Sequence, residues 1–346
     1  MEISVLIPTY QRPAKLGACL RALAAQTLDS GSYEVLVGID GPDSESEAAA
    51  RTAWGSCTAG LVVRQCPRSG YNAVRNAMLD LASGKYLVSL NDDVIPDRTF
   101  LETHLAAQRE AEAHGGPAVV SGHSPWKTWP DPSLFDAIVA ESSLIFFFDQ
   151  MNALRVAELG PWHDWGFRHC YGLNFSAPLR LIRDSGKFTA FHLAYGYDDI
   201  EIAFRLKHTY GTPVPYRPAA VAVHDHRYRP DEVLAREFKL GHSAWHFAER
   251  TPSFCEAVFR RDIRSKDELQ YSREFIQRER SLAGMVMETW LSLGSIPAAA
   301  LTGDHAKALL RMTYLHLLPL KRWMWRAGLV AAAEDRPQDA IVYPKN

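Results

Sequence analysis

Three groups of acids and histidines in this 346-residue sequence have types and spacings that could do chemistry. Asn91-Asp92-Asp93 sets two carboxylates side by side, directly after an apolar run and just before Pro96. Adjacent acids repel, so they are stable when solvated or when a cation shares them, and hard oxygen ligands of this kind suit Mg²⁺ or Mn²⁺. The same triplet can also be a solvated turn. A second pair, Asp198-Asp199, opens a helical pattern carried by Ile202, Ala203 and Leu206. There the helix dipole favours anions, so the acids can simply cap the helix. Alternatively, one of them can take a proton from an attacking hydroxyl. The third group is His224-Asp225-His226, at the end of an apolar run. Alternate residues of a strand share a face, so both imidazoles point to one side.

The elements that must position these groups alternate regularly. Ile3 to Ile7 predicts a strand ended by Pro8, with Thr9 to Pro13 as a loop, and leucines at helical spacing predict a helix over 14–26. A strand over 33–39 ends at Asp40-Gly41; a weak helix over 45–53, a strand over 61–65 and a helix over 72–81 follow. The apolar run from Lys85 to Leu90 then delivers Asp92 and Asp93. This alternation predicts an α/β fold with a mostly parallel, Rossmann-like sheet flanked by helices. In such sheets ligands lie beyond the C-terminal strand ends, where Thr9, Asp40 and the Asp92-Asp93 pair all fall. Further on come a helix over 100–114, a strand over 117–122 and a strand over 219–223. Beyond Arg229-Pro230 the pattern is helical, over 231–250, 266–281, 284–293 and 298–318. We therefore expect a first domain over 1–230, with halves 1–115 and 116–230, and a helical C-terminal extension over 231–346.

Composition bounds the function. The hydrophobic share of 47% and the charged share of 23% are those of a globular protein, and a net charge of −2 argues against a general nucleic-acid binder. Five scattered cysteines without a Cys-x-x-Cys fit a reducing compartment better than a disulfide framework or zinc knuckle. Glu2 to Val5 shows neither a basic nor an apolar leader pattern, and no run approaches the ~20 apolar residues of a membrane span. A cytoplasmic protein is expected.

Taken together, Ser4 to Arg12, Tyr33 to Gly41, Tyr71-Asn72-Ala73-Val74-Arg75-Asn76 and Asn91-Asp92-Asp93 resemble, in order and spacing, the family 2 glycosyltransferases of the GT-A fold. The run Tyr197-Asp198-Asp199-Ile200-Glu201 through Arg205-Leu206 is similar to that family's Gly-Glu-Asp-x-Glu-Leu-x-x-Arg-Leu motif. The resemblance implies an inverting, nucleotide-sugar-dependent transferase of polysaccharide or glycoconjugate synthesis. It implies a nucleotide-diphospho-sugar donor, a UDP-sugar in the first instance, held by Pro8, Thr9, Tyr10, Arg12, Asp40, Arg75, Asn91 and Asp92. It further implies Mn²⁺ or Mg²⁺ on Asp93 with a histidine, for which His224 stands nearest the strand end and His226 is the alternative. The catalytic base falls on Asp199, with Asp198 beside it.

A carbohydrate or glycoconjugate acceptor also needs a platform. Trp162-His163-Asp164-Trp165 offers aromatic faces for sugar rings, although large rings more often belong to a core. Asn174, in the run Tyr171 to Ser176, is expected on the same side. The basic, tryptophan-bearing stretch over 315–326 can lie on an anionic membrane surface, which would make the protein peripheral on the inner face, or pack on its own fold. Two rival chemistries remain. One is a two-metal phosphoester hydrolase on Asp92, Asp93, His224 and His226; the other is a carbohydrate-binding scaffold without catalysis.

Overall fold

The computed structural model describes residues 1–191, 195–301, 303 and 305–344. They form two compact units, one of residues 1–127, 151–192 and 198–226, the other of residues 128–150, 193–197 and 227–346. The helical unit thus draws in two segments from the region expected to be the first domain.

The elements run β1 (Ile3–Thr9), α1 (Pro13–Ala24), β2 (Tyr33–Asp40), α2 (Ser44–Trp54), β3 (Gly60–Cys66), α3 (Tyr71–Leu79) and β4 (Tyr86–Leu90). Then come β5 (Val94–Pro96), α4 (Phe100–Ala113), β6 (Val120–His123), α5 (Leu134–Glu141), α6 (Ala153–Leu159), β7 (Asn174–Pro178) and α7 (Leu179–Asp184). The remainder is α8 (Asp198–Tyr210), β8 (Tyr216–His224), α9 (Pro230–Arg250), α10 (Pro252–Phe259), α11 (Lys266–Arg278), α12 (Arg280–Ser292) and α13 (Ala306–Ala333).

In the first unit eight strands form one sheet in the order β3-β2-β1-β4-β7-β6-β8-β5. The β3-β2-β1-β4 half is parallel, as expected. All seven residues of β1 are buried, which is why its sequence is almost uniformly apolar. Strand β7 enters antiparallel between β4 and β6, β6 and β8 are parallel, and β5 closes the edge antiparallel to β8. Neither β7 nor β5 was expected: the first mixes Asn, Ser and Pro with its apolar residues, and the second is three residues long.

The second unit is helical. Helices α9 and α13 touch backbone to backbone: a Cβ on Gly241 would stand 1.8 Å from the Trp325 carbonyl oxygen, and one on Gly328 1.9 Å from that of Phe238. The helix expected over 298–318 begins at Ala306 and continues through Pro319 to Ala333; Thr302 and Asp304 lie outside the described residues. Helix α10 was not expected. Within the stretch 315–326, Leu317, Leu320, Trp323 and Met324 are buried, and the Trp323 indole donates to the Ile276 carbonyl at 2.9 Å. That face of the stretch therefore packs on its own unit, while Leu315 and Arg322 stay exposed. Among the described residues no helix is long and apolar enough to cross a membrane.

Candidate active site

The acidic pair is built by strand register. Parallel pairing sets Leu6 opposite Ser89, and continuing that register past the end of β4 brings Thr9 to Asp92. The Thr9 hydroxyl donates to Asp92 Oδ2 at 2.6 Å. Arg12, just before α1, reaches Asp92 Oδ1 at 3.4 Å and Asp93 Oδ2 at 3.0 Å. Both acids are buried. Burial and the neighbouring Asp93 charge push the Asp92 carboxyl up to about 6, against Thr9 and Arg12. Burial would raise Asp93 too, but His224, Arg12 and His226 together bring it down to about 2. The surroundings thus drive two adjacent carboxyls in opposite directions.

The unexpected β5 explains the histidines. It pairs Val94 with His224, and the Asp225 amide donates to the Asp93 carbonyl at 2.8 Å. His224 Nε2 then lies 3.6 Å from Asp93 Oδ1 and His226 Nδ1 3.6 Å from Oδ2. Both imidazoles face one carboxylate, although β8 ends at His224 and His226 lies just beyond it, and Trp126 stacks on His224 at 4.5 Å. Asp93 Oδ1 is buried with no hydrogen bond. A buried carboxylate oxygen left orphaned beside imidazole nitrogens is a donor set that fits a divalent ion such as Mn²⁺. Among the described residues no group of three or more His, Cys, Asp or Glu side chains is arranged to hold a metal by itself.

Asp40, at the end of β2, is saturated from the protein side. Its Oδ1 accepts from the Ser69 and Gly70 amides at 2.8 and 3.2 Å, and Arg68 reaches its Oδ2 at 2.8 Å. The Arg68 guanidinium in turn covers the half-exposed Tyr10 ring at 3.4 Å. Pro8 is buried within β1, and Asn91 Oδ1 accepts from the Tyr71 hydroxyl at 2.6 Å.

The second acidic pair is split by its partners. Asp198 is buried and bound to Arg75 at 2.6 Å. Arg75 is fully buried; it also donates to Ser89 Oγ at 2.6 Å, and its guanidinium lies 3.6 Å over the Phe188 ring. It is therefore an internal brace, which corrects the expected place beside the donor. Asp199 remains partly exposed, with Oδ2 accepting from the Gly172 amide at 2.7 Å and Oδ1 from that of Ile200 at 2.8 Å. Burial and the Asp198 charge push its carboxyl up to about 6, against those two amides and Arg75. The Ser89 hydroxyl donates to the Gly172 carbonyl at 2.6 Å, which ties the Asp199 site to β4 three residues before Asp92.

The two tryptophans expected at the acceptor are not at this end of the sheet. Trp162 stacks on His114 at 4.9 Å, lies under Arg217 at 4.1 Å and packs on Ala107, Ala111, Ala118 and Val120. The Trp165 amide donates to the Val214 carbonyl, just before β8 begins at Tyr216. His224 is at the far end of that strand, beyond the irregularity where residues 217 to 221 pass a single step of β6. Asn174 is close to the acids but fully engaged. Its Oδ1 pairs with His104 Nε2 at 2.9 Å, and its amide donates to the His123 and Ala220 carbonyls and to Ser124. A Cβ on Gly122 would come within 2.2 Å of it. It clamps β7 to its neighbours and has no group left for a ligand.

Four contributors went unread in the sequence. Lys15 and Lys127 hold Asp225 at 3.0 and 2.9 Å, Arg68 holds Asp40, and Tyr71 reaches the acidic motif. The Arg12-Pro13-Ala14-Lys15 spacing, which sets two cations on one side of the first helical turn, was the available signal for Lys15.

Residues 4–169 match the family model described as glycosyl transferase family 2. The chain is 26% identical over 282 residues to validoxylamine A glucosyltransferase of Streptomyces hygroscopicus subsp. limoneus, an alignment covering 74% of this chain and 58% of that protein. It thus spans less than two thirds of that relative's length. Over 103 residues, 29% of this chain and 33% of the other, it is 31% identical to glycosyltransferase AglE of Haloferax volcanii. In fold it is similar to the mannosyltransferase PcManGT of Pyrobaculum calidifontis, solved with GDP-Man and Mn²⁺. That match has a TM-score of 0.57 at 21% identity and covers 98% of this chain and 88% of that one.

Proposed function

Residues 4–169 belong to glycosyl transferase family 2, and from that premise we propose that the chain transfers a sugar from a nucleotide-diphospho-sugar, a UDP-sugar in our reading, to an acceptor hydroxyl with inversion. The observation that carries this reading is geometric: Asp93, with a buried and unbonded Oδ1, turns its carboxylate towards two imidazoles, and Asp199 is oriented by the amide of Gly172, which Ser89 ties to β4. The name of the Streptomyces relative makes a glucosyl donor the first to test.

In this reading Thr9, Arg12, Asp40 and Asp92 line the donor side. Asp93 with His224 or His226 would hold Mn²⁺ or Mg²⁺, which when bound neutralises charge on the departing diphosphate. Arg12 and Lys15 supply fixed positive charge beside it. Asp199, oriented by the Gly172 amide, takes the proton of the acceptor hydroxyl. As that oxygen bonds to the anomeric carbon, the bond to the diphosphate oxygen breaks on the opposite face, and the configuration inverts. Asp198 is a positioning residue, locked by Arg75.

A thermal-shift series with UDP, GDP, dTDP and CDP, each with and without Mn²⁺, tests the donor side. A ligand that binds only the folded chain raises its melting temperature. We expect one nucleotide to stabilise strictly with metal, and Asp93→Asn to remove that response. Stabilisation by metal alone, with no nucleotide adding to it, would overturn the reading.

A further inference from the structure

The helical unit carries an open cavity of about 560 Å³ that takes no part in the chemistry above. Its walls are largely aromatic, with Tyr271 and Phe275 from α11 and Tyr314 and Trp325 from α13. Its charges are unbalanced. Arg261 Nε and Arg326 share one carboxylate oxygen of Glu268 at 3.0 and 2.7 Å. Arg236 and Lys321 likewise share one oxygen of the buried Glu237, at 3.1 and 3.5 Å. Arg322 lines the same cavity, is exposed, and forms no ion pair among the described residues. Among the lining residues one carboxylate, Glu237, thus stands against four cations, Arg261, Lys321, Arg322 and Arg326; Glu268 and Asp149 lie just behind the wall.

Cations concentrated in a partly dehydrated hollow attract an anion more strongly than the same charges spread over a surface. Burial also holds the Lys321 ammonium below its ordinary range, an effect opposed by Glu237 and reinforced by Arg236, so an arriving anion would relieve it. The Arg326 guanidinium lies 4.5 Å over the Tyr271 ring and 5.3 Å over that of Phe275, so charge and flat apolar rings line the cavity side by side. The volume is that of a small-molecule site, larger than a bare oxyanion needs and too small for a long glycan.

We propose that this cavity binds an anionic sugar, a single ring bearing a phosphate or a carboxylate, with Arg322 and Arg326 on the anionic group and the Tyr271 and Phe275 rings against the sugar. The inference does not depend on the donor site assigned above. Trp325, which lines the cavity and donates from its indole to the Tyr197 hydroxyl at 2.9 Å, supplies an optical signal.

The test is a titration of the full chain with glucose 1-phosphate, glucuronate, glucose and inorganic phosphate, followed by tryptophan fluorescence and calorimetry. At least one of the two anionic sugars should bind at least tenfold more tightly than either glucose or phosphate. Response to glucose 1-phosphate alone identifies the phosphate form, and to glucuronate alone the carboxylate form. Arg322→Ala should weaken binding at least tenfold, and Asp93→Asn should leave it unchanged. Tyr271 is 44% exposed, so Tyr271→Ala tests the ring contact without emptying a core, and a loss of severalfold is expected. Binding lost in Asp93→Asn but kept in Arg322→Ala would assign the ligand to the donor site and overturn the proposal. So would phosphate binding as tightly as glucose 1-phosphate, or no probe binding up to about 10 mM.

Discussion

The two ends of the central sheet carry similar residues and do different things with them. At the C-terminal ends of β1, β2 and β4 stand Thr9, Asp40, Asp92 and Asp93, with histidines brought in by β8. At the N-terminal end of β8 the loop 162–165 supplies two tryptophans, a histidine and an acid. By residue type alone either end could hold a sugar. The loop acid, however, is wholly committed to structure: Asp164 accepts from the Gly166 and Val214 amides, each at 2.9 Å, and from Lys207. Burial would raise its carboxyl, yet Lys207 and those amides hold it below the ordinary range. At the other end Asp93 keeps one buried oxygen without a hydrogen bond, and Asp199 is pushed up towards neutrality. Unspent acceptors and raised carboxyls are costly to maintain for folding alone, so they mark the end where a ligand completes the structure.

The largest effect should come from the buried brace at the acidic end. Arg75→Met strands a buried Asp198, and a buried pair broken from one side typically loses roughly 3–5 kcal/mol. At the opposite end Arg180→Ala removes only the exposed pair with Asp184, worth about 0–1 kcal/mol. Urea melts of both variants measure the contrast, and equal losses would erase it.

Next is pH. A base raised to about 6 must be ionised to act, so kcat/KM should fall about tenfold per unit below that value and level off above it. The sign for stability is opposite. A carboxyl raised in the fold contributes stability that is fully present below its unfolded value and lost as pH rises through about 6. Asp199→Asn should therefore flatten stability between pH 4 and 7 relative to the parent chain, a window set by its unfolded pKa of about 4 and its folded value of about 6. Asp164, lowered in the fold, contributes the other way and only at more acid pH. The smallest effect belongs to the tryptophan loop. Trp165→Ala should cost about 1–3 kcal/mol of stability but leave kcat/KM within about twofold. A hundredfold loss of activity there would put the acceptor at the wrong end of the sheet for this account.

Much of the fold was legible because β1 to β4 follow simple rules. Strands buried on both faces read as continuous apolar runs, and their carboxylates fall where the sheet leaves room for a ligand. The unread parts have physical causes. Strand β5 has three residues, too few for any period, yet its pairing with β8 sets His224 and His226 against Asp93. Strand β7 carries Asn174 and Ser176 because their side chains bond to His104 and Gln108 of α4, buried against the sheet, so its polarity hid it. Arg75 was expected beside the donor because local sequence cannot show that Asp198, 123 positions away, is its partner. The tryptophans at 162 and 165 misled for the converse reason, since an aromatic platform and an aromatic plug have the same composition.

The most direct test separates the two adjacent acids. Asp199→Asn and Asp198→Asn should each be assayed for sugar transfer and for metal-dependent nucleotide binding. The account predicts that Asp199→Asn loses transfer by at least about a hundredfold, the lower end of what a general base contributes, while binding nucleotide like the parent chain. Asp198→Asn should weaken folding and transfer together. Transfer retained in Asp199→Asn, or nucleotide binding lost with it, would contradict the assignment of Asp199 as the base.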